Sequence, residues 1–201
     1  MDDTTLHTPA ANISCNSGYI STAERTLTFQ CHDKQFRDAV FLDESGNTLF
    51  KFHAHGTFSS WSVRRSLMGA DEKHILDVRH YKSSLHEWIA EDPQGKQLCL
   101  VKDAAGKITS LQAQVTAEDV IGGHVEVSAQ SSDHAGTNTI FKVGDAVVAE
   151  MRLMENNDMN FLNWRGLDRS VWRVRVAGGV DLAMIVILAY CRAEILHAWR
   201  R

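Results

Sequence analysis

The stretch Val180-Asp181-Leu182-Ala183-Met184-Ile185-Val186-Ile187-Leu188-Ala189-Tyr190-Cys191 decides the fold of this chain. It follows Gly178-Gly179 and runs on into Arg192-Ala193-Glu194-Ile195-Leu196-His197-Ala198-Trp199, where apolar residues recur at helical spacing. Leu182 to Cys191 is ten consecutive apolar residues. A helix that is hydrophobic on every side must be buried, in a core or in lipid. Ten residues span about 15 Å at 1.5 Å per residue, whereas the hydrocarbon core of a bilayer is roughly 30 Å thick. Asp181 closes one end of the run, and Arg192 and Glu194 close the other. The run is too short to span a membrane. The expected solution is a helix over about residues 180–199, threaded through the middle of a closed sheet. Burying each of its large side chains stabilises the fold by roughly 1.5–3 kcal/mol.

Upstream of this helix the chain reads as short strands separated by turns. Asp43-Glu44-Ser45-Gly46-Asn47, Gly69-Ala70-Asp71-Glu72-Lys73, Glu91-Asp92-Pro93-Gln94-Gly95-Lys96 and Asp103-Ala104-Ala105-Gly106-Lys107 carry the Gly, Asn, Asp and Pro chemistry of tight reversals. Asn156-Asn157-Asp158 adds a further turn. Between the turns lie strand-length runs over residues 39–42, 48–52, 97–101, 123–127, 139–143 and 146–152. Val171-Trp172-Arg173-Val174-Arg175-Val176 is the clearest strand: Trp172, Val174 and Val176 face the core, and Arg173 and Arg175 face solvent or a ligand. No ten-residue helical pattern interrupts this rhythm before the last helix, so the expectation is an antiparallel meander closing into a sandwich or barrel.

The chain has 201 residues, with 44% hydrophobic and 23% charged, which excludes wholesale disorder and allows a single sizeable core. Only 2 prolines are present, so collagen-like and proline-rich classes are excluded. A formal net charge of -4 argues against a surface built to grip nucleic acid. Cys15, Cys31, Cys99 and Cys191 are scattered with no C-x-x-C pair, the pattern of buried reduced thiols rather than of a disulfide framework. Residues 1–22 are polar, rich in Thr, Ser, Asn and Ala, and lack the apolar segment of a secretory signal. They are expected to form a flexible leader ahead of a barrel domain over residues 23–201. Asn12-Ile13-Ser14 matches a glycosylation sequon that carries little meaning without such a signal.

Several blocks, in order, resemble one family. Ala39 to Phe52 contains a strand-turn-strand ending in Gly46-Asn47-Thr48-Leu49-Phe50-Lys51, similar to the family's G-N-x-L-F-K. Phe58 to Met68 resembles its next hairpin. Ser83-Ser84-Leu85-His86-Glu87-Trp88 is similar to its S-x-H-x-x-W signature, with Trp two positions after His rather than three. Val180 to Val186 resembles its V-D-x-A-F-I lead into the central helix. Over about residues 26–197 the chain resembles the LURP-one-related family, of the tubby C-terminal-like and phospholipid scramblase superfamily. The resemblance implies an all-β fold with one helix: an antiparallel barrel of about twelve strands enclosing the hydrophobic helix. It also implies a non-enzymatic protein that binds anionic membrane lipid, such as phosphoinositide. The alternative it implies is a signalling or defence adaptor that binds another protein through the barrel surface; a lipid scramblase is the third reading. The scramblase's cysteine-rich run and a clear acidic calcium loop are not present in this sequence.

Candidate chemistry rests on arginine. From Arg165 to Arg201 seven arginines face three acids, a local charge of +4 that leaves -8 for the remainder of the chain. Such asymmetry attracts an anionic head group. Arg173 and Arg175, two positions apart on one strand face, are the expected phosphate grip, joined by Arg64 and Arg65 if the barrel brings them near. The competing account is a plain solvated outer face. His53-Ala54-His55 puts two imidazoles on one strand face, but no carboxylate or cysteine follows at zinc-like spacing, and no metal is expected. His86 reads as a hydrogen-bonded structural residue. Trp61, Trp88, Trp164, Trp172 and Trp199 read as packing rather than as a stacking platform for bases. No nucleophile elbow, Walker loop or dinucleotide fingerprint is present. The expectation is a cytoplasmic monomer with no catalytic residue, no cofactor, no nucleic-acid partner and no transmembrane span, reaching membranes only peripherally.

Overall fold

The computed structural model describes residues 4–9, 14, 17–32, 38–54, 64–81, 87–103, 110–116, 123–157 and 168–199, with side chains as far as 196. Twelve strands occur in chain order: β1 (Arg25–Cys31), β2 (Asp38–Leu42), β3 (Thr48–Ala54), β4 (Arg65–Gly69), β5 (His74–His80), β6 (Glu87–Glu91), β7 (Gln97–Asp103), β8 (Ser110–Thr116), β9 (His124–Ser131), β10 (Asn138–Val143), β11 (Ala146–Asn156) and β12 (Ser170–Val176). Each pairs antiparallel with its sequence neighbours, and β12 pairs with β1, so the sheet closes on itself. The single helix α1 (Leu182–Trp199) follows β12. The expected barrel around a buried helix is what the chain forms. β1, β4, β5, β6 and β8 are strands that the run-by-run reading of the sequence did not single out, β4 being covered only by the resemblance over Phe58 to Met68.

Strand alternation sets the inside and the outside. Along β12, Ser170, Trp172, Val174 and Val176 are buried, while Val171, Arg173 and Arg175 face outward, as the sequence pattern required. β8 shows the same alternation, with Leu111, Ala113 and Val115 inside and Gln112 and Gln114 exposed. The inward side chains pack on α1, whose residues Leu182 to Ala193 are all buried. At 1.5 Å per residue, its 18 residues give a rod of about 27 Å filling the barrel axis. An aromatic row connects wall to rod. Phe29 stacks on Phe41 at 4.4 Å between ring centroids, Phe41 meets Phe52 edge-on at 6.3 Å, and Phe52 lies 4.2 Å from Tyr190 of α1. Trp88 and Trp172 are packed in the core, and Cys31, Cys99 and Cys191 are buried thiols. Burial pushes the Cys99 thiol up to about 12, so it stays protonated and unreactive. Cys15, Trp61, Trp164 and the Trp199 side chain lie outside the described residues, as do the turn after Asp103 and the histidines His55 and His86.

Closure needs curvature, and irregularities supply it. The register shifts between Phe41 and Leu42, Leu67 and Met68, Ala90 and Glu91, Phe141 and Lys142, and Leu153 and Glu155. Such bulges bend a strand and raise its twist. Among the described residues, three hairpin loops share one sequence pattern, Asp-x-x-Gly-x, at Asp43–Asn47, Asp92–Lys96 and Asp133–Thr137. In the first two, the Asp carboxylate accepts the backbone N–H groups two and four residues on, at 2.8–2.9 Å. In the third, Asp133 accepts from the Thr137 and Asn138 N–H groups and from the Thr137 hydroxyl. The helix start is capped in the same way. Buried Asp181 accepts the Ala183 N–H through Oδ1 at 2.8 Å and the Ser14 hydroxyl through Oδ2 at 3.2 Å.

Candidate functional site

The four arginines singled out from sequence occupy three different environments. Alternation separates Arg64 from Arg65 although they are neighbours. Arg65, at the start of β4, points into the barrel and is buried. Its Nη2 donates to Glu194 Oε1 of α1 at 3.0 Å, and its guanidinium lies 5.6 Å from the Tyr190 ring centroid. Trp88 Nε1 donates to the other Glu194 oxygen at 2.9 Å, and His80 Nε2 stands 3.6 Å from Oε1. Burial would raise the Glu194 carboxyl, but the Arg65 charge, the nearby His80 and the Trp88 N–H outweigh it and hold it at about 2. This cluster ties the helix to three adjacent strands from within, so Arg65 is a structural residue.

Arg64 lies on the outer wall. It donates to Asp77 Oδ2 at 3.1 Å and to Glu91 Oε2 at 3.2 Å. Asp77 also accepts from Ser66 Oγ at 2.6 Å and faces His74 Nε2 at 2.9 Å, while Glu91 receives two bonds from Arg79. Both carboxylates are buried under these partners. The network is internally compensated, with two guanidiniums for two carboxylates, and Arg64 contributes little net attraction to an anion from outside.

Arg173 and Arg175 sit on the outward face of β12. β4 is separated from β12 by β3, β2 and β1, four strand spacings or about 19 Å along the wall. The barrel therefore does not bring Arg64 and Arg65 to the β12 pair. Instead it brings a residue that the sequence reading did not select. Arg152 of β11 is the direct cross-strand partner of Arg173, and Glu150 is the partner of Arg175. Glu150 is buried although it faces outward. It accepts from Arg152 Nη2 through Oε1 at 3.0 Å and from Arg175 Nη1 through Oε2 at 3.2 Å. Arg175 is further held by Glu24, whose Oε1 accepts from Nε at 3.0 Å and from Nη2 at 2.7 Å. Three guanidiniums thus gather on adjacent outward positions of two strands, steadied by one buried carboxylate. The signal for Arg152 and Glu150 was present in the alternation of residues 146–152, which puts both on one face. Their meeting with β12 depends on register, which that alternation does not specify.

His53 is exposed, with Nδ1 3.5 Å from Asp38. Among the described residues, no three His, Cys, Asp or Glu side chains gather as a metal-binding group. Among the described residues, no helix is long and apolar enough to cross a membrane.

A twelve-stranded antiparallel barrel closed around one hydrophobic helix is the architecture of the tubby-like fold class. The family model described as LURP-one-related matches residues 25–193, and the chain belongs to that family. The X-ray structure of a protein from Arabidopsis thaliana has a similar fold: TM-score 0.61, 19% identity, covering 95% of this chain and 100% of that one. No curated protein matches the chain.

Proposed function

We propose that this chain is a non-enzymatic binding module that recognises an anionic membrane-lipid headgroup, such as that of a phosphoinositide, on the outer face formed by Arg152, Arg173 and Arg175. One observation carries the reading: Arg152 and Arg173 are directly opposed on β11 and β12, beside Arg175. Directly opposed residues of antiparallel strands hold their Cβ atoms about 4.5–5.5 Å apart. Side chains carried on such neighbouring Cβ atoms can both reach one phosphate with charge-assisted bonds. The barrel axis is filled by α1, which leaves the wall and the rims for a ligand. Buried Glu150 orients two of the three guanidiniums before any ligand arrives, which lowers the entropy lost on binding.

The test is co-sedimentation with phosphatidylcholine vesicles, with and without phosphoinositide, at low and high salt. Each basic side chain near an anionic surface contributes roughly 1 kcal/mol. The Arg152→Ala/Arg173→Ala double variant is therefore expected to bind roughly thirtyfold more weakly at 1.4 kcal/mol per tenfold. Binding is expected to fall as salt screens the surface. Wild-type protein that ignores phosphoinositide would move the reading to the alternative, an adaptor that binds another protein through the barrel surface. Among the described residues, Met154 is the exposed large apolar side chain, and one side chain is not the contiguous patch such an adaptor calls for.

A further inference from the structure

Described residues ahead of β1 (4–9, 14 and 17–24) contact the barrel near the end where α1 begins. The His7 N–H donates to Val147 O at 2.8 Å, and Leu6 packs half-buried against the core. Ser14 bonds Asp181, Ile20 forms a bridge with Asp181, and the Tyr19 ring lies 5.2 Å from Phe50. The Gly179 N–H donates to Ser21 O at 2.8 Å. The same segment reaches the arginine face. Thr4 O accepts from Arg175 Nη1 at 3.1 Å, and the Thr4 hydroxyl donates to Glu150 Oε1 at 3.3 Å. Glu24, the last residue before β1, takes the other edge of the same guanidinium at 2.7–3.0 Å. Thr4 O and Glu24 Oε1 thus hold Arg175 from the leader side, while Glu150 Oε2 holds it from the wall.

We propose that this segment is an autoinhibitory strap: Thr4 and Glu24 occupy Arg175 in the resting protein, and an anionic headgroup binds the Arg152–Arg173–Arg175 face by displacing them. The proposal rests on the reading of that face as a headgroup site. The strap is attached in a way that suits displacement. Thr5, His7 and Thr8 are exposed, and Leu6 is the apolar anchor among residues 4–9. Segments with few buried apolar contacts open at low free energy. Glu24 is nearly half exposed, so water and salt reach its side of the pair with the mostly buried Arg175. A phosphate with two negative charges outcompetes such a carboxylate for the same guanidinium. A strap that is open about one-tenth of the time weakens apparent binding roughly tenfold, because only the open fraction is competent.

The experiment compares the full chain with its Leu6→Ser/His7→Pro variant. Proline removes the N–H that holds Val147 O, and serine removes the apolar anchor. Both proteins are titrated with phosphatidylcholine vesicles containing phosphatidylinositol bisphosphate, with plain phosphatidylcholine vesicles, and with soluble inositol trisphosphate. The expected result is roughly tenfold tighter binding by the variant, with no gain on plain vesicles. Response to the soluble compound as well as to vesicles assigns the site to the phosphorylated headgroup itself; response to vesicles alone assigns it to the lipid surface. A second measurement needs no variant: hydrogen exchange at the His7 amide of wild-type protein should accelerate when the phosphorylated ligand is added. Wild-type binding with no tightening in the variant and unchanged exchange at His7 overturns the strap and leaves the headgroup site standing. Absence of binding by both proteins overturns the site and the strap together.

Discussion

Arg65 on β4 and Glu194 on α1 stand 129 positions apart in sequence, and the guanidinium of one donates to the carboxylate of the other at 3.0 Å inside the barrel. This pair holds the rod in register with the wall. Its partners, Trp88 and His80, come from β6 and β5, so three adjacent strands converge on one helix residue.

The pair gives the fold an acid dependence with a defined sign. The Glu194 carboxyl lies at about 2, below its ordinary 4.5. A depressed carboxyl contributes stability that is complete above the unfolded value and is lost as pH falls through the folded one. Urea unfolding midpoints should therefore decline between about pH 4.5 and 2, and the Glu194→Gln variant should show a shallower decline. In neutral buffer that variant should lose about 3–5 kcal/mol, because Arg65 stays buried without its carboxylate. Equal midpoints for the two proteins in neutral buffer would contradict the role assigned to the pair.

Ile185 lies in the first turn of α1 and is fully buried. Ile185→Asp puts a charge where no partner waits, and a loss above about 4 kcal/mol is expected. Ile185→Val removes only one methylene and should cost about 0.5–1.5 kcal/mol. Thermal unfolding of both variants checks the threaded-helix arrangement: wild-type stability in Ile185→Asp would refute it.

Gly136 and Gly46 both adopt positive φ, at 71° and 81°. A Cβ on Gly46 meets nothing within 4 Å, whereas one on Gly136 meets Arg192 Nη2 at 2.7 Å and Leu196 Cδ1 at 3.0 Å. Gly46→Ala should therefore cost only the backbone strain, roughly 1 kcal/mol. Gly136→Ala should cost more, because the buried Arg192 guanidinium, which donates to Gly136 O at 3.3 Å, and the Leu196 side chain must give way as well. Chemical denaturation of the two alanine variants, compared side by side, reads the difference directly.

Asp181 caps α1 from a fully buried position. Asp181→Ala should destabilise by about 0.5–2 kcal/mol through the lost cap. Asp181→Asn keeps an acceptor for the Ala183 N–H and should recover most of the loss. Melting temperatures of the two variants distinguish a capping role from simple space filling, since both remove the charge and only one removes the acceptor.

The resemblance and the alternation together made the architecture readable before any coordinates. The apolar run from Leu182 to Cys191 required burial on all sides, and the Trp172/Val174/Val176 alternation required a wall with an inside. The turn clusters at Asp43–Asn47 and Glu91–Lys96 placed two of the reversals, where Asp43 and Asp92 accept the N–H groups two and four positions on. All of these are local relationships, set by helix or strand periodicity and by the conformations that Gly and Asp favour.

The candidate arginines were legible only in part. Arg173 and Arg175 were placed on one outward face correctly, because two residues apart on a strand always share a face. Whether Arg64 and Arg65 joined them depended on the number of strands lying between β4 and β12, and that is a property of the closed barrel. The same closure sent Arg65 inward to Glu194 and Arg64 outward to Asp77 and Glu91. It also set Arg152 against Arg173 and laid Thr4 against Arg175. The sequence by itself determined the burial of the Leu182–Cys191 run and the inward and outward faces of β12, since those follow from patterns a few residues long. Only the tertiary structure decided which charges meet, because cross-strand register and barrel closure join residues more than a hundred positions apart.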